Sequence, residues 1–80
     1  MYFVYIILCK DKSLYTGITT DIKRRFVEHK LGRGGNYTRS HKVVRVVYEE
    51  RKKNRSTASK REAQIKKLTK EQKDRLIKSV

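Results

Sequence analysis

Residues 2–9 read Tyr-Phe-Val-Tyr-Ile-Ile-Leu-Cys, and residues 14–19 read Leu-Tyr-Thr-Gly-Ile-Thr. A polar segment, residues 10–13, separates the two runs. Aromatic and β-branched runs on either side of a short polar segment are typical of two strands joined by a turn. The chain therefore begins with a predicted β-hairpin, around which the remaining elements are expected to pack.

A helix is predicted directly after the hairpin. Thr20 or Asp21 can act as its N-cap, because both side chains can accept a hydrogen bond from a free N–H group of the first helical turn. Four of the residues that follow are spaced so that they share one side of the helix: Ile22, Arg25, Phe26 and His29. The apolar pair is expected to face the sheet, with the arginine and the histidine beside it.

Whether Tyr5 and Tyr15 meet depends on the length of the hairpin turn. Side chains alternate between the two faces of a sheet, so the two phenols share a face only if the strands pair in an even register. Such a register needs an odd number of turn residues or a bulge, whereas a two- or four-residue turn separates the phenols. Taken without further information, both are better interpreted as ordinary strand aromatics.

The rest of the chain completes a small α/β domain. The first strand is apolar at both parities, which predicts a central strand with helices on both faces of the sheet. Residues 43–48 form a third predicted strand, residues 57–68 a second helix, and Thr69 with Gln72 the capping box of a last helix. We predict a single domain over residues 1–80, with a three-stranded antiparallel sheet flanked by about three helices.

The charge of the chain points to a polyanionic partner. Lys and Arg number 22 against 8 Asp and Glu, for a net charge of +14. So much positive charge on a small body favours binding to nucleic acid. An anionic membrane is a weaker alternative, because the basic helices lack the bulky apolar face of interfacial helices. The apolar start is also shorter than the ~20 residues that a bilayer span needs.

A lone Cys9 cannot form an internal disulfide, and we expect a cytoplasmic protein.

Residues 32–42 are expected to form a phosphate-binding loop. They hold three glycines, four basic residues and one aromatic ring. Glycines allow close backbone approach, Arg33 and Arg39 can fork onto phosphate oxygens, and Tyr37 can stack on an exposed base. The alternative is a merely flexible, solvated loop. His41 has no partner at metal-ligand spacing, so no site role is assigned to it.

Three spaced motifs in the hairpin and first helix carry a family resemblance. They are Phe-Val-Tyr at 3–5, Tyr-Thr-Gly at 15–17 and Asp-Ile-Lys-Arg-Arg at 21–25. Their order and spacing resemble the Gly-Ile-Tyr, Tyr-Ile-Gly and helical arginine motifs of the GIY-YIG nuclease domain. Nearly the whole chain is similar to the small stand-alone bacterial members of the YhbQ type. Residues 35–39 also resemble the Gly-x-x-Thr-Arg segment of related junction nucleases.

The resemblance implies a DNA endonuclease of repair or recombination, dependent on one Mg²⁺ or Mn²⁺ ion and on no small-molecule cofactor. The catalytic residues that it implies are Tyr5, Tyr15, Arg25, His29 and Glu62, and Glu62 is also the implied metal ligand. Together with the basic loop, it predicts these nucleic-acid contacts: Arg24, Arg33, Gly35, Asn36, Tyr37, Thr38 and Arg39. The expected partner is nucleic acid, most simply DNA, and no membrane.

Two alternatives stay open at this point. Ser59 and Glu62 have capping-box spacing, so Glu62 would turn back to the backbone if a helix began at Ser59, but would be free to face a site if the helix began at Ser56 or Thr57. The chain also departs from the family, with Phe3 in place of glycine, Ile18 in place of a lysine, and no asparagine that can be placed after the glutamate. These departures favour a second hypothesis, a non-catalytic nucleic-acid-binding module that uses the same basic surface.

Overall fold

The first strand lies at the centre of a three-stranded antiparallel sheet, as predicted. The structure is a computed structural model that describes residues 1–79. Strand β1 (Tyr2–Cys9) pairs on one side with β2 (Leu14–Thr19) and on the other with β3 (Val43–Lys52), in the order β2-β1-β3. Four helices occur in residues 1–79: α1 (Ile22–Lys30), α2 (Asn36–His41), α3 (Arg55–Lys66) and α4 (Lys70–Lys78). None of these helices is long and apolar enough to cross a bilayer.

Both faces of β1 are buried because its apolar residues point to two different layers of helix. Val4 and Ile6 pack against α3 and α4 on what we call the Val4 face. Tyr5, Ile7 and Cys9 point to the opposite side, here the Tyr5 face, where α1 covers them. The prediction of a central strand covered on both faces is therefore confirmed.

The hairpin turn puts Tyr5 and Tyr15 on the same face. Three residues, 10–12, separate the last pair of the ladder, with Cys9 N–H donating to Ser13 C=O at 2.9 Å. Lys12 has a φ of +70°, the left-handed residue that commonly closes a three-residue turn. Tyr5 then pairs with Gly17, and Tyr15 with Ile7. The odd turn required for a shared tyrosine face is present.

Side-chain caps fix where α1 and α3 begin. Asp21, rather than Thr20, caps α1 and accepts a hydrogen bond from Arg24 N–H at 3.1 Å. Asn54 caps α3 and accepts one from Thr57 N–H at 2.9 Å. Because α3 begins at Arg55, Ser59 already lies within the helix.

Glu62 consequently lies inside α3, which decides between the two alternatives for its carboxylate. The helix spans Arg55–Lys66, two residues earlier at each end than predicted. Ser59 is therefore not an N-cap, and Glu62 does not turn back to its backbone. The capping box of Thr69 and Gln72 at α4 is confirmed.

Two predictions of secondary structure were wrong. Residues 32–42 contain a helix rather than only a loop, because Thr38 is 1% exposed and gives this six-residue helix an inward anchor. A helix of so few residues shows no periodicity in the sequence. Strand β3 also continues through the charged residues 49–52, which pair with the first residues of β1. The third strand was predicted to end at residue 48, and the structure extends it to Lys52.

Glu50 explains why a charged segment can extend β3. Its side chain is 16% exposed and accepts hydrogen bonds from Arg61 Nε at 3.1 and 3.0 Å. The Tyr48 hydroxyl donates to the same carboxylate, and Lys52 Nζ lies 3.1 Å from it. Burial raises the pKa of Glu50, but these hydrogen bonds and the charge of Arg61 outweigh burial and bring the pKa below 4.5. The carboxylate thus ties α3 to β3.

Replacing Glu50 with Gln should destabilise the fold by about 2–4 kcal/mol, because two cations lose the charge that compensates their burial. The pKa of Glu50 is lowered in the folded chain, so its contribution is present above about pH 4.5 and is lost as the pH falls below that value. Urea unfolding followed by circular dichroism measures both effects.

Glu71→Gln is the matched control. Glu71 is 82% exposed and pairs only with Arg75 at 3.4 Å, so its replacement should change stability by less than about 0.5 kcal/mol. Equal stability of the two variants would show that the Glu50 cluster does not hold α3 to the sheet.

Candidate active site

Two tyrosine rings and a histidine ring form the centre of the candidate site on the Tyr5 face. The Tyr5 and Tyr15 ring centroids are 6.4 Å apart, and the edge of the His29 ring lies against Tyr15 at 5.1 Å. The Tyr5 hydroxyl and His29 Nε2 are 2.8 Å apart. Tyr5 is 2% exposed, whereas Tyr15 is half-buried and reaches the surface. Of the two phenols, Tyr15 is thus the one that a bound substrate can contact.

His29 connects α1 to α2 and is neutral at physiological pH. Its ring is 1% exposed, and its Nδ1 is 2.8 Å from Thr38 Oγ1. Burial, with the nearby positive charge of Arg25, lowers the pKa of His29 to about 4, against the opposing effect of Glu28. A neutral imidazole has one donor and one acceptor nitrogen. The arrangement that satisfies every group runs in one direction, from the Tyr5 hydroxyl to Nε2, and from Nδ1–H to Thr38.

Tyr5 serves this chain of hydrogen bonds as a protonated phenol. Burial raises the pKa of Tyr5 to about 12; Arg25 opposes this effect, and the negative charges of Tyr15 and Glu62 add to it. A phenol with this pKa does not accept a proton from water near neutral pH. Tyr5 therefore orients His29 and the neighbouring Tyr15 ring rather than acting as a base.

Arg25 is held at the mouth of the site by a carboxylate and a carbonyl. Its Nη1 donates to Glu28 Oε1 at 2.9 Å, and its Nη2 donates to Gly34 C=O at 3.4 Å. The side chain is 31% exposed, so part of the guanidinium meets solvent. The hydrogen bond from Arg25 holds the pKa of Glu28 below its usual range. Glu28 was not predicted as a site residue, although an acid three residues after an arginine on one helix is a visible signal.

Glu62 approaches from the other layer of helix. Helix α3 packs on the Val4 face and contacts β1 and β2, whereas Arg25 lies on α1 over the Tyr5 face. The Glu62 carboxylate is 23% exposed and forms an ion pair with Lys66 at 3.5 Å. Its charge adds to the rise in the pKa of Tyr5, so the two groups share one electrostatic environment. Because β2 is an edge strand, residues of both layers can meet beside it.

The donor set around Glu62 is small. No group of three or more His, Cys, Asp or Glu side chains that could hold a metal ion occurs in residues 1–79. A single carboxylate fits Mg²⁺, which keeps most of its waters and binds through one or two carboxylates together with substrate phosphates. It does not fit a closed structural zinc site, which needs four protein ligands.

Two glycines allow the aromatic centre to pack this closely. A Cβ on Gly17 would lie 2.5 Å from the Tyr5 hydroxyl, and a Cβ on Gly34 would overlap His29 Nδ1. Any side chain at either position would displace a ring. Gly17 is the last residue of the Tyr-Thr-Gly motif, but the sequence does not show what packs on it, and Gly34 was not predicted as part of the site.

Tyr37 continues the aromatic centre to the surface. Its ring centroid lies 5.8 Å from that of Tyr15 and 4.0 Å from that of His41, nearly parallel to the His41 ring. Tyr37 is nevertheless 39% exposed, so part of its ring is open to solvent. His41, which was assigned no role from its spacing, is part of this stack and lies 3.6 Å from Asp11.

The predicted nucleic-acid contacts divide into exposed and buried residues. The exposed ones stay candidates for contacts with a ligand: Arg24, Arg33, Gly35, Asn36, Tyr37 and Arg39. Thr38 is the exception, because it is buried against His29. Its role is to hold the His29 ring.

Three arginines border an open cleft at the end of β2. This Arg55 cleft, about 290 Å³, is lined by Arg24, Arg25 and Arg55 together with Thr19, Thr20 and Glu28 among others. Arg55 is the first residue of α3, so the cleft lies between the two helical layers. Arg55 was not predicted, since in the sequence it belongs to an ordinary run of charge.

Comparison with known proteins identifies the family of the chain. A family model described as the GIY-YIG catalytic domain matches residues 1–75. The chain belongs to the GIY-YIG family. A UPF0213 protein of Desulfotalea psychrophila is 51% identical over 79 residues, covering 98% of this chain and 72% of that protein. A UPF0213 protein of Natronomonas pharaonis is 43% identical, with 95% and 89% covered.

Two solved structures share the fold. The solution NMR structure of a UPF0213 protein from Bacillus halodurans is 38% identical, has a TM-score of 0.61, and is matched over 98% of this chain and 84% of that one. The solution NMR structure of a protein from E. faecalis is 42% identical, with a TM-score of 0.64 and 98% and 83% covered. The predicted family and fold class are both confirmed.

The depressed pKa of His29 predicts a loss of stability in mild acid. The pKa of His29 is about 4 in the folded chain against an ordinary value of 6.5, so the unfolded chain takes up a proton first. The stability due to the neutral ring is complete above about pH 6.5 and is lost as the pH falls toward about 4. At about 1.4 kcal/mol per pKa unit, the loss is about 3 kcal/mol. Urea unfolding at a series of pH values measures it.

His41→Gln is the control, since it keeps His29 and should keep the pH dependence. His29→Gln should lose it, and the NMR titration of the His29 ring proton checks the pKa in the wild type directly. A His29 ring that takes up its proton near pH 6.5 would show that the neutral hydrogen-bonded chain is not the form present.

Proposed function

We propose that this chain is a divalent-metal-dependent endonuclease that hydrolyses phosphodiester bonds of DNA. The observation that carries the proposal is the Tyr5, Tyr15 and His29 cluster with Arg25 beside it, and the charge of Glu62 on α3 also acts on Tyr5. We assign the activity to DNA repair or recombination because the motifs resemble nucleases of those pathways. The net charge of +14 supports a polyanionic substrate.

Tyr15 is the group that we assign to the attacking water. It is half-buried, and its ring is fixed between His29 and Tyr37 at centroid distances of 5.1 and 5.8 Å. A phenol has an ordinary pKa near ~10, so removing a proton from water requires neighbouring positive charge that stabilises the phenolate. Arg25 is the cation of this site and provides part of that charge.

Arg25 is assigned to the scissile phosphate. Its guanidinium stays charged and presents a planar fork that matches two phosphate oxygens. Glu28 and the Gly34 carbonyl fix the side chain before substrate arrives, which lowers the entropic cost of binding. In the transition state the fork neutralises charge that develops on the non-bridging oxygens.

Glu62 is the residue that would hold a divalent ion, through its one carboxylate. A bound Mg²⁺ or Mn²⁺ would supply Lewis-acid stabilisation of the phosphate and the leaving oxygen. Lys66, 3.5 Å from the carboxylate, must give up its ion pair for this to happen. The buried hydrogen bonds among Tyr5, His29 and Thr38 hold the residues of the site in position.

Three substitutions test the proposal. Tyr15→Phe, Arg25→Ala and Glu62→Gln should each reduce nicking of a plasmid or a labelled duplex by ~10²-fold or more, typical of losing a general base or a charge stabiliser. DNA binding should survive in all three, since Arg25→Ala removes one of 22 cations, Tyr15→Phe removes no charge and Glu62→Gln removes a negative charge. Fluorescence anisotropy with labelled DNA in the presence of EDTA measures the binding.

Matched controls on α4 separate chemistry from fold and charge. Arg75→Ala and Glu71→Gln make the same chemical changes at a surface ion pair of 3.4 Å and should leave nicking near the wild-type rate. Line broadening by Mn²⁺ in NMR spectra should centre on Glu62 in the wild type and disappear in Glu62→Gln. Tight DNA binding by the wild type with no cleavage of duplex, nicked, flapped or four-way DNA would replace the nuclease with the non-catalytic binding module.

A further inference from the structure

A second cleft opens beside α2, away from the tyrosine stack. Tyr37 and His41 are four residues apart and share the side of α2 that faces Tyr15. Thr38 and Lys42 are also four apart and line a different side, where the cleft has a volume of about 480 Å³. We call it the Lys42 cleft; it is larger than the Arg55 cleft at about 290 Å³.

The lining of the Lys42 cleft is cationic. Among the residues that the structure describes, no carboxylate lines the cleft. Four basic side chains surround it: Lys10, Lys30, Arg39 and Lys42. Within residues 1–79 none of the four forms an ion pair, and the nearest acid in sequence, Asp11, lies against His41 instead. Arg39 donates only to the neutral amide oxygen of Asn36, at 3.2 Å. Four unneutralised cations around one concavity attract an anion, and they repel one another in its absence.

The floor and one wall of the cleft have a different chemistry. His29 and Thr38, each 1% exposed, form a polar floor, and Leu31 and Val43 form an apolar wall. A simple inorganic anion needs only the cations. A cationic rim beside an apolar wall instead matches a phosphate joined to a sugar, in which charged oxygens and a carbon ring lie side by side.

The backbone at Lys42 adds an independent observation. Lys42 ends α2 with φ +55° and ψ +113°, a left-handed conformation that costs a residue with a Cβ more than it costs glycine. Its carbonyl accepts a hydrogen bond from Lys10 N–H at 2.9 Å, and its N–H donates to Thr38 C=O at 3.0 Å. Two cations of the rim are thus held next to each other by backbone bonds, at a position where glycine would be less strained.

We propose that the Lys42 cleft is a second phosphate-binding site, which holds a sugar-phosphate unit of the nucleic-acid strand at a distance from the phosphate bound by Arg25. The inference rests on the proposed function only in taking a nucleic acid as the ligand. The strand would pass over α2, with the candidate active site on one side of the helix and the Lys42 cleft on the other. The cleft adds binding energy without taking part in the chemistry.

A charge-matched pair of double variants tests the proposal. Lys10→Gln/Lys30→Gln removes two cations from the rim, and Lys67→Gln/Lys78→Gln removes two exposed cations from the ends of α3 and α4. Affinity for a labelled duplex is measured by anisotropy in EDTA at several salt concentrations. In the cleft variant, the negative slope of log K against log salt should become shallower by about 0.9 for each phosphate that is no longer neutralised. In the control variant, the slope should stay near that of the wild type. Equal decreases in the two variants would mean that net charge alone binds DNA, and the cleft would be rejected.

Lys42→Gly separates binding from folding. Because glycine relieves the strained backbone, this variant should have a Tm at or above that of the wild type while binding DNA more weakly. A variant that binds as well as the wild type would overturn the role of the Lys42 side chain, and higher stability would exclude misfolding as the cause of weaker binding.

NMR titration locates the ligand and distinguishes its sources. A dinucleotide should shift the amides of Gly32, Lys42 and Val43 and the ring signals of His29. If a 5′-phosphorylated dinucleotide does this and an unphosphorylated one does not, the site takes a strand end; if both do, it takes an internal phosphodiester. Shifts confined to residues of the Arg55 cleft would overturn the proposal.

All of these measurements are made without cleavage, so the two proposals fail separately. A wild-type protein that cleaves DNA, with equal binding in the cleft and control variants, would leave the nuclease standing without this cleft. A wild-type protein that never cleaves, with the salt slope reduced only in the cleft variant, would leave the cleft standing in a binding module.

Discussion

The hydrogen bond between the Tyr5 hydroxyl and His29 is the interaction on which the site depends. Tyr5 belongs to the central strand and His29 to α1, and His29 in turn is bonded to Thr38 of α2, so one chain of hydrogen bonds joins three elements. All three residues are at most 2% exposed, which means that breaking either hydrogen bond would leave a polar group buried without a partner. The same chain supports Tyr15 from behind while leaving its surface free. In this hairpin, Tyr5 is therefore the buried, fixed tyrosine and Tyr15 the accessible one.

The hairpin and the central position of β1 could be predicted because they depend on local rules. Side-chain alternation decides whether Tyr5 and Tyr15 meet, and a run that is apolar at both parities must be covered twice. The wrong boundaries have a different origin. Strand β3 continues through charged residues because Glu50 accepts a hydrogen bond from Arg61, which lies eleven residues later in the chain. Local sequence patterns do not reveal a contact over this separation. Helix α2 forms because Thr38 meets His29, which is again a contact between elements.

The candidate site divides in the same way. Tyr5, Tyr15, Arg25, His29 and Glu62 were found through motif spacing, and their roles stay proposals. Glu28, Gly34 and Arg55 were missed because their importance lies in what they touch: the guanidinium of Arg25, the ring of His29 and the open cleft. Thr38 was assigned to the surface because a threonine in a glycine-rich segment gives no sign of burial. Its position follows from the three-dimensional path of the chain, which places it beneath α1.

Strand β2 lies at the edge of the sheet, and an edge strand presents unpaired backbone groups to any other extended chain. The flanking cations discourage such pairing, because two copies that each carry +14 repel one another before their edges can meet. A polyanion bound to the chain would neutralise part of this charge. The barrier to self-association would therefore be lowest where several copies gather on one polyanion.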